Sequence, residues 1–327
     1  MANSRNSESP DSLSVVVAAC LRRHLAPDQT LVVGFSGGRD SVALLYVLHR
    51  LQSQFDFHLG ACHVNHDLSP RAGEWQLFCR RFCDGLDIPI EVIPVVIPRE
   101  SGEGLEAAAR SKRYAAFGSL AADWIVLAQH RGDQAETLLF NLLRGTGLAG
   151  MAGMIELRSL RSGLGLMRPL LGITRSDIDA YLARHDLAWV EDESNRDTGF
   201  SRNFLRHEVL SLLQSRFPAV ERKLASAAAH FAEAEMLLDE LAVIDLGDQP
   251  PVFPLPLACL ARLSEPRGRN LLRFLLARHG VGIPSEERLF EALRQLLEAR
   301  QDRHPAVTFG NQQLCRKRGK VRLEPIP

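Results

Sequence analysis

The six-residue loop at positions 36–41 constrains the fold of this chain more than any other stretch. It consists of Ser36, Gly37, Gly38, Arg39, Asp40 and Ser41. A short β-branched run at 30–35 precedes it and predicts a buried strand, and apolar residues at helical spacing in 42–48 predict a helix after it. A strand, a glycine turn and a helix direct backbone N–H groups and the helix dipole at one point, so the loop predicts a phosphate site.

Asp40 narrows the chemistry of this loop. The chain contains no Gly-Lys-Ser or Gly-Lys-Thr tripeptide, which argues against a Walker A loop that transfers a γ-phosphate. Phosphates repel a nearby carboxylate unless a cation lies between them, so Asp40 is predicted to be a magnesium ligand. The alternative is an ordinary helix start, in which Asp40 only complements the helix dipole.

Composition sets the outer limits. A length of 327 residues predicts about two domains. The 39 basic and 39 acidic residues cancel, so only local patches could bind nucleic acid. No apolar run approaches the roughly 20 residues of a membrane span, and the first residues are polar, so we expect a cytoplasmic protein without membrane contact. The six cysteines include no Cys-x-x-Cys pair, which argues against a zinc, iron–sulfur or disulfide framework.

Strands and helices are predicted to alternate through the first two thirds of the chain. Further strands are predicted at 57–63, 88–97, 124–128 and 168–171, with helices between them. This alternation indicates an α/β domain with a parallel sheet covered on both faces. A long helix from about 217, a proline-dense connector and short C-terminal strands predict a smaller, mainly helical α+β domain. We place the two domains at 1–216 and 217–327.

Polar residues follow the predicted strands at the ends where parallel α/β sheets bind ligands. His63 ends the second strand, and Asp133 and Glu136 lie one turn apart after the fourth. These two carboxylates could simply cap a helix. Together with Asp40 they could instead supply magnesium ligands, so Asp40 and Asp133 are the predicted metal residues.

Two predicted helices carry cationic faces. Arg110 shares a face with Glu106, Arg113 and Tyr114, and Arg202 and Arg206 are spaced i,i+4. A solvated, salt-bridged face is the ordinary explanation for such spacing. The alternative is that these guanidinium groups bind pyrophosphate or neutralise charge that develops during a reaction.

The glycine-rich stretch at 145–150 matches G-x-G-x-x-G but follows a predicted helix rather than a strand. We therefore interpret Gly145 as a helix C-cap and not as part of a dinucleotide-binding motif.

Taken together and in this order, the motifs resemble the tRNA(Ile)-lysidine synthetase family of N-type ATP pyrophosphatases, also called PP-loop enzymes. The resemblance covers nearly the whole chain and implies a Rossmann-like fold of the adenine nucleotide alpha-hydrolase kind. It implies catalytic roles for Asp40, Asp133, Arg110 and Arg202. It also implies that the loop at 36–41, His63 and Arg206 bind ATP with Mg²⁺.

The resemblance further implies a reaction. ATP adenylates the C2 oxygen of the wobble cytidine of tRNA(Ile) with anticodon CAU, and pyrophosphate leaves. The ε-amine of L-lysine then displaces AMP and produces lysidine. The basic C-terminal tail, with Arg316, Lys317, Arg318, Lys320 and Arg322, is the predicted tRNA-contacting part.

Three departures from the family pattern stand out. Gln129 and Gly132 replace the first His and the first Asp of the usual His-His-x-Asp-Asp-Gln, and Asp67 replaces a usual glycine. The chain also ends after a segment like the family's first C-terminal domain, whereas longer members carry a second.

Other readings remain open from sequence. A thiolase-type PP-loop enzyme would need Cys-x-x-Cys pairs, and a non-catalytic nucleotide-binding protein would not need the clustered acids and arginines. The lysine-binding residues and the oligomeric state, a homodimer included, are not determined.

Overall fold

The computed structural model describes residues 12–67, 69–97, 105–193, 197–282, 284–299 and 305–326. The chain divides into two compact units. The first comprises Met1–Phe140 and Met154–Ser226, and the second comprises Asn141–Gly153 and Ala227–Pro327. The domain boundary at residue 217 stays a prediction.

A six-stranded sheet forms the centre of the first unit, in the order β3-β2-β1-β4-β6-β5. Its strands are β1 (Gln29–Gly34), β2 (Phe57–Asn65), β3 (Ile90–Pro94), β4 (Trp124–Val126), β5 (Leu157–Arg161) and β6 (Leu164–Met167). Neighbouring strands from β3 to β6 pair in parallel, and only β5 is antiparallel to its neighbour. The predicted α/β class is confirmed.

Helices cover both faces of this sheet. They are α1 (Ser12–His24), α2 (Arg39–Leu51), α3 (Ala72–Asp84), α4 (Leu105–Gly118), α5 (Arg131–Leu143) and α7 (Arg175–Arg184). Strand periodicity divides β1 between two apolar clusters: Leu31 and Val33 pack in one, with α2, whereas Val32 packs against the other. Burial on both faces explains the almost continuous apolar sequence of this strand.

The predicted strand at 168–171 is wrong. The strand is β6, which forms a hairpin with β5 around Gly163, and 168–171 follows it as a turn. A β-carbon on Gly165 would lie 2.3 Å from the Trp124 ring, so this glycine serves close packing within the sheet. The sequence does not predict β5 and β6, because both contain glycine or arginine and neither contains a run of β-branched residues.

The second unit combines helices with an antiparallel sheet in the order β7-β10-β9-β8. Its strands are β7 (Leu255–Pro256), β8 (Ala306–Phe309), β9 (Gln312–Lys317) and β10 (Lys320–Pro325). Its helices are α6 (Leu148–Met151), most of α10 (Val220–Leu246), α11 (Leu257–Ala261), α12 (Glu265–Arg278) and α13 (Glu286–Glu298). In α13, Leu289, Leu293 and Leu296 form one buried stripe at helical spacing. The predicted helical α+β class is confirmed.

Candidate active site

The loop at 36–41 joins β1 to α2 as the sequence predicts. The Val42 N–H donates to the Gly38 carbonyl (3.0 Å) and begins the helical ladder. The amides of Arg39, Asp40 and Ser41 therefore form the first turn, where N–H groups have no acceptor within the helix. This end of the helix presents a group of donors that suits an anion.

Gly37 allows the loop to turn tightly against its neighbours. Its φ of +78° lies in the left-handed region. A β-carbon there would lie 2.9 Å from the Cys79 sulfur and 3.1 Å from Val190. The Val190 N–H also donates to the Gly37 carbonyl (3.0 Å), so two other segments fix the loop.

The two serines hold the loop from within. Ser36 Oγ accepts from the Gly38 N–H at 3.2 Å, and Ser41 Oγ donates to the Gly38 carbonyl at 2.9 Å. These bonds preorganise the backbone before any ligand arrives.

The Arg39 side chain is directed away from the loop amides. Its guanidinium lies 3.0 Å from Asp179 and 3.7 Å from Glu191, and stacks 5.2 Å from the Trp189 ring centre. Arg39 thus offers the site its backbone amide, while its side chain fixes the loop to α7 and to the segment that follows.

His130 lies between Asp40 and Asp133. The buried ring accepts the Gly132 N–H on Nδ1 at 3.0 Å, which assigns the proton of the neutral ring to Nε2. Nε2 is 3.9 Å from Asp40 Oδ2 and 3.8 Å from Asp133 Oδ2. The structure therefore brings together two acids that are far apart in sequence, across one imidazole.

Gly132 belongs to the same arrangement. A β-carbon at this position would lie 2.8 Å from His130 Cε1. A larger residue at 132 would therefore displace the ring, so the Gly132 departure is coupled to the orientation of His130.

One oxygen of Asp40 is buried without a partner. Oδ1 has no hydrogen-bond donor among the residues that the structure describes. Burial raises the pKa of Asp40; His130 lowers it when the ring is protonated, and the Asp133 charge raises it again. An orphaned carboxylate oxygen beside a second acid is a donor set that a divalent cation satisfies.

Arg206 forms a two-point ion pair with Glu136. Its Nε and Nη2 lie 2.5 and 3.0 Å from the two carboxylate oxygens, and Nη2 also donates to Asp133 at 3.0 Å. Burial raises the pKa of Glu136, and the Arg206 charge opposes that rise. For Arg206, burial lowers the pKa, and the Glu136 and Asp133 charges outweigh it and raise the pKa. Sequence reasoning did not predict this pairing, because the partners are 70 residues apart.

Arg202 lies one turn before Arg206 in a continuous helical segment. Its guanidinium stacks 5.6 Å from the Phe140 ring centre, and Phe140 follows Glu136 by one turn of α5. The segment that carries both arginines runs from α8 (Ser201–Phe204) into a π-helical turn at Leu205–Leu210 and on into α9 (Ser211–Arg216). Arg202 and Arg206 thus contact Phe140 and Glu136, which are also spaced i,i+4 on α5.

Arg110 joins a chain of hydrogen bonds that sequence reasoning missed. Its guanidinium stacks 5.1 Å from the Tyr114 ring, and the Tyr114 hydroxyl accepts from Arg168 at 3.2 Å. Arg168 also donates to Gln129 Oε1 at 3.0 Å and to the Ile155 carbonyl at 2.8 Å. The prediction that places Arg168 in a strand is wrong, since β6 ends at Met167; the position of this buried arginine immediately after an apolar run is the signal in the sequence. Glu106 was grouped with Arg110, but its side chain lies outside the described residues.

His63 forms a hydrogen bond with Phe35, the residue that immediately precedes the loop at 36–41. Its Nδ1 lies 2.9 Å from the Phe35 carbonyl and 3.4 Å from the Cys79 sulfur. Burial lowers the pKa of His63, so the ring is neutral and Nδ1–H donates to Phe35. Burial, with help from the Arg113 charge, also lowers the pKa of nearby His66 to about 4.

The fold and the loop place the chain in a recognised class. Residues 13–213 match the PP-loop domain family, and residues 255–322 match the TilS substrate binding domain. A solved structure supports the fold: the U34-tRNA thiolase NcsA from Methanococcus maripaludis superposes with a TM-score of 0.56. That match has 16% sequence identity and covers 68% of this chain and 78% of the thiolase chain. The class is therefore that of PP-loop, ATP-using proteins.

Relatives identify the family within this class. The tRNA(Ile)-lysidine synthase of Nitrosomonas europaea is 42% identical over 99% of this chain and 71% of its own length. The enzyme of the same name from Aromatoleum aromaticum is 43% identical over 92% of this chain and 70% of its own length. The chain belongs to the tRNA(Ile)-lysidine synthase family.

Among the helices that the structure describes, none combines the length and apolar character needed to cross a membrane.

Proposed function

We propose that this chain uses ATP to join L-lysine to C2 of the wobble cytidine of tRNA(Ile) with anticodon CAU. The observation that carries the proposal is the meeting of Asp40, His130 and Asp133 beside the first-turn amides of α2. A phosphate-binding helix end without a transferable-phosphate lysine suits an enzyme that cleaves ATP between its α- and β-phosphates.

ATP binds with its pyrophosphate portion on the loop at 36–41. The amides of Arg39, Asp40 and Ser41 donate to the phosphates, and His63 holds the preceding strand end in place. Asp40 and Asp133 would hold Mg²⁺, which would neutralise phosphate charge when bound. The buried, unpartnered Oδ1 of Asp40 supports this assignment.

The reaction takes place in two displacements. In the first, the C2 oxygen of cytidine attacks the α-phosphorus of ATP, the α–β bond breaks and pyrophosphate leaves. In the second, the uncharged ε-amine of lysine attacks C2, the C2–oxygen bond breaks, AMP leaves and the amine loses a proton. Arg202 and Arg110 are proposed to neutralise the developing charge, and Arg206 to orient the acids that it pairs with.

The division of labour follows the sequence prediction. Residues 1–216 are proposed to carry out catalysis, and 217–327 to contact the tRNA. A homodimer stays a prediction.

The direct test supplies the chain with ATP, radiolabelled lysine and an unmodified tRNA(Ile) transcript with anticodon CAU. We expect lysine incorporation together with equal release of AMP and pyrophosphate. The matched control is the same transcript with uridine at the wobble position, on which we expect no incorporation.

Two outcomes would contradict the proposal. ATP binding without pyrophosphate release would indicate a non-catalytic nucleotide-binding protein, and sulfur incorporation would indicate a thiolase. The cysteines argue against the second outcome: all six are buried, and burial raises the pKa of Cys62 and Cys79 to about 12.

A further inference from the structure

A cationic cavity of about 560 Å³ lies in the first unit, beside the starts of α5 and α7. Arg131 is the first residue of α5, Arg175 is the first of α7, and Arg222 lies in the first turn of α10. All three line the cavity, together with Thr174 and Ser176. We call this cavity the arginine cleft.

The guanidinium groups of the arginine cleft form no close ion pair with the described residues, although the Arg175 charge lowers the pKa of Asp40. Within the described part of the chain, none of the three has a carboxylate at ion-pair distance. Arg131 Nε is buried and has no hydrogen-bond partner there. Glu221 is the one acid in the lining, and the nearby Asp177 carboxylate is engaged by Thr174. A net positive cavity with unused buried donors favours an anionic ligand.

The start of α7 adds backbone donors to the arginine cleft. Thr174 caps the helix by accepting the Asp177 N–H at 3.0 Å, and the Ile178 N–H donates to the Thr174 carbonyl at 3.2 Å. The amides of Arg175 and Ser176 lie before that ladder begins, so they face outward from the helix end.

The arginine cleft is separate from the loop at 36–41 but close to Asp40. α5 and α7 follow β4 and β6, so their starts lie at the same edge of the parallel sheet as the start of α2. Arg131 is also the neighbour of His130. The first turn of α2 is the proposed binding site for the pyrophosphate portion of ATP. The cleft therefore offers a second phosphate position at the same edge of the sheet.

We propose that the arginine cleft binds a backbone phosphate of the substrate RNA next to the nucleotide that reacts. This inference rests on the proposed function. Arg131 is half-buried whereas Arg175 and Arg222 are exposed, so the cations lead from the interior to solvent. A polynucleotide strand has phosphates along such a line, whereas free pyrophosphate would need only the inner end. The cavity is also larger than a single phosphate requires.

The test compares Arg175→Gln/Arg222→Gln with the wild type in equilibrium binding of the tRNA(Ile) transcript across a salt series. We expect about tenfold weaker binding at physiological salt, and a salt slope reduced by about 1.4 for two lost contacts at about 0.7 each. ATP affinity should not change. Arg80→Gln/Arg81→Gln removes two exposed arginines of α3 and serves as the charge-matched control.

Two further measurements keep the inference falsifiable. Unchanged tRNA affinity and salt slope would overturn it, and so would weaker binding of inorganic pyrophosphate with unaltered tRNA binding. A single-stranded RNA heptamer with the anticodon sequence is the second probe. If the wild type does not modify tRNA(Ile) but the variants bind the heptamer more weakly than the wild type, the proposed function is wrong and the proposal for the arginine cleft is supported.

Discussion

Asp40 combines a functional requirement with a cost to the ligand-free protein. Its Oδ1 is buried without a partner, and burial raises the pKa of the carboxyl. At low pH the group is neutral in both the folded and the unfolded state. The pKa of this carboxyl in the unfolded state is about 4, so the unfolded state ionises first as the pH rises. The folded protein therefore loses stability until the pH has passed the higher pKa of the folded state.

Asp40→Asn should therefore separate stability from activity. We expect the ligand-free variant to melt at a higher temperature than the wild type at pH 8, with a difference that shrinks as the pH falls toward the unfolded-state pKa of about 4. Lysine-dependent AMP formation should fall by at least about 100-fold. Differential scanning fluorimetry with and without Mg²⁺–ATP provides the check; a variant that Mg²⁺–ATP still stabilises as strongly as the wild type would refute the metal assignment.

Arg206 is the residue whose loss should destabilise the first unit most directly. In Arg206→Gln, buried Glu136 loses its cationic partner and either stays ionised without compensation or takes up a proton, and we expect a loss of about 3 kcal/mol in unfolding free energy. Adding Glu136→Gln should recover part of this loss, because the uncompensated charge is removed. Urea unfolding followed by tryptophan fluorescence reports this unit, since Trp75, Trp124 and Trp189 all lie in it. Equal stability of the single and double variants would contradict the ion-pair account.

At the scale of elements, the joint between β1 and α2 depends on backbone conformation. Gly37→Ala would meet both a positive φ and contacts as short as 2.9 Å with Cys79. We expect about 2–3 kcal/mol of destabilisation and loss of ATP binding, because the loop must shift.

Gly145→Ala is the matched control for this change. Gly145 ends α5 with a φ of +64°, and its β-carbon would meet nothing within 4 Å. We expect only the conformational cost, about 1 kcal/mol, and unaltered ATP binding measured by isothermal titration calorimetry. Comparable ATP-binding loss in both variants would show that the contacts around Gly37 are not decisive.

At the scale of the whole molecule, the basic residues of the hairpin formed by β9 and β10 differ in burial. Arg316 is buried and donates to the Leu296 and Ala299 carbonyls, at 2.9 and 2.5 Å, so it caps the end of α13. Lys320 and Arg322 are exposed on either side of buried Val321. The basic tail is thus not a uniform tRNA-contacting surface.

Lys320→Glu/Arg322→Glu should weaken tRNA binding by about tenfold or more at physiological salt without changing ATP affinity or the melting temperature. Arg316→Gln should lower the melting temperature of the second unit, measured by circular dichroism, since the Leu296 and Ala299 carbonyls lose a charged donor. Filter binding across a salt series measures the first effect. Normal tRNA affinity in the double variant would remove the exposed face of β10 from the interface.

Local patterns determined a large part of this protein. The strand, glycine loop and helix at 30–48, the parallel sheet and the amphipathic stripe of α13 follow from period, turn chemistry and burial, which neighbouring residues encode. The antiparallel β5 and the turn at 168–171 did not, because partner strands and not propensity make an edge strand. Only the tertiary structure placed His130 between Asp40 and Asp133, paired Arg206 with Glu136 and gathered three arginines into one cleft. These contacts join residues separated by tens of positions, and sheet topology together with helix packing decides which of them meet.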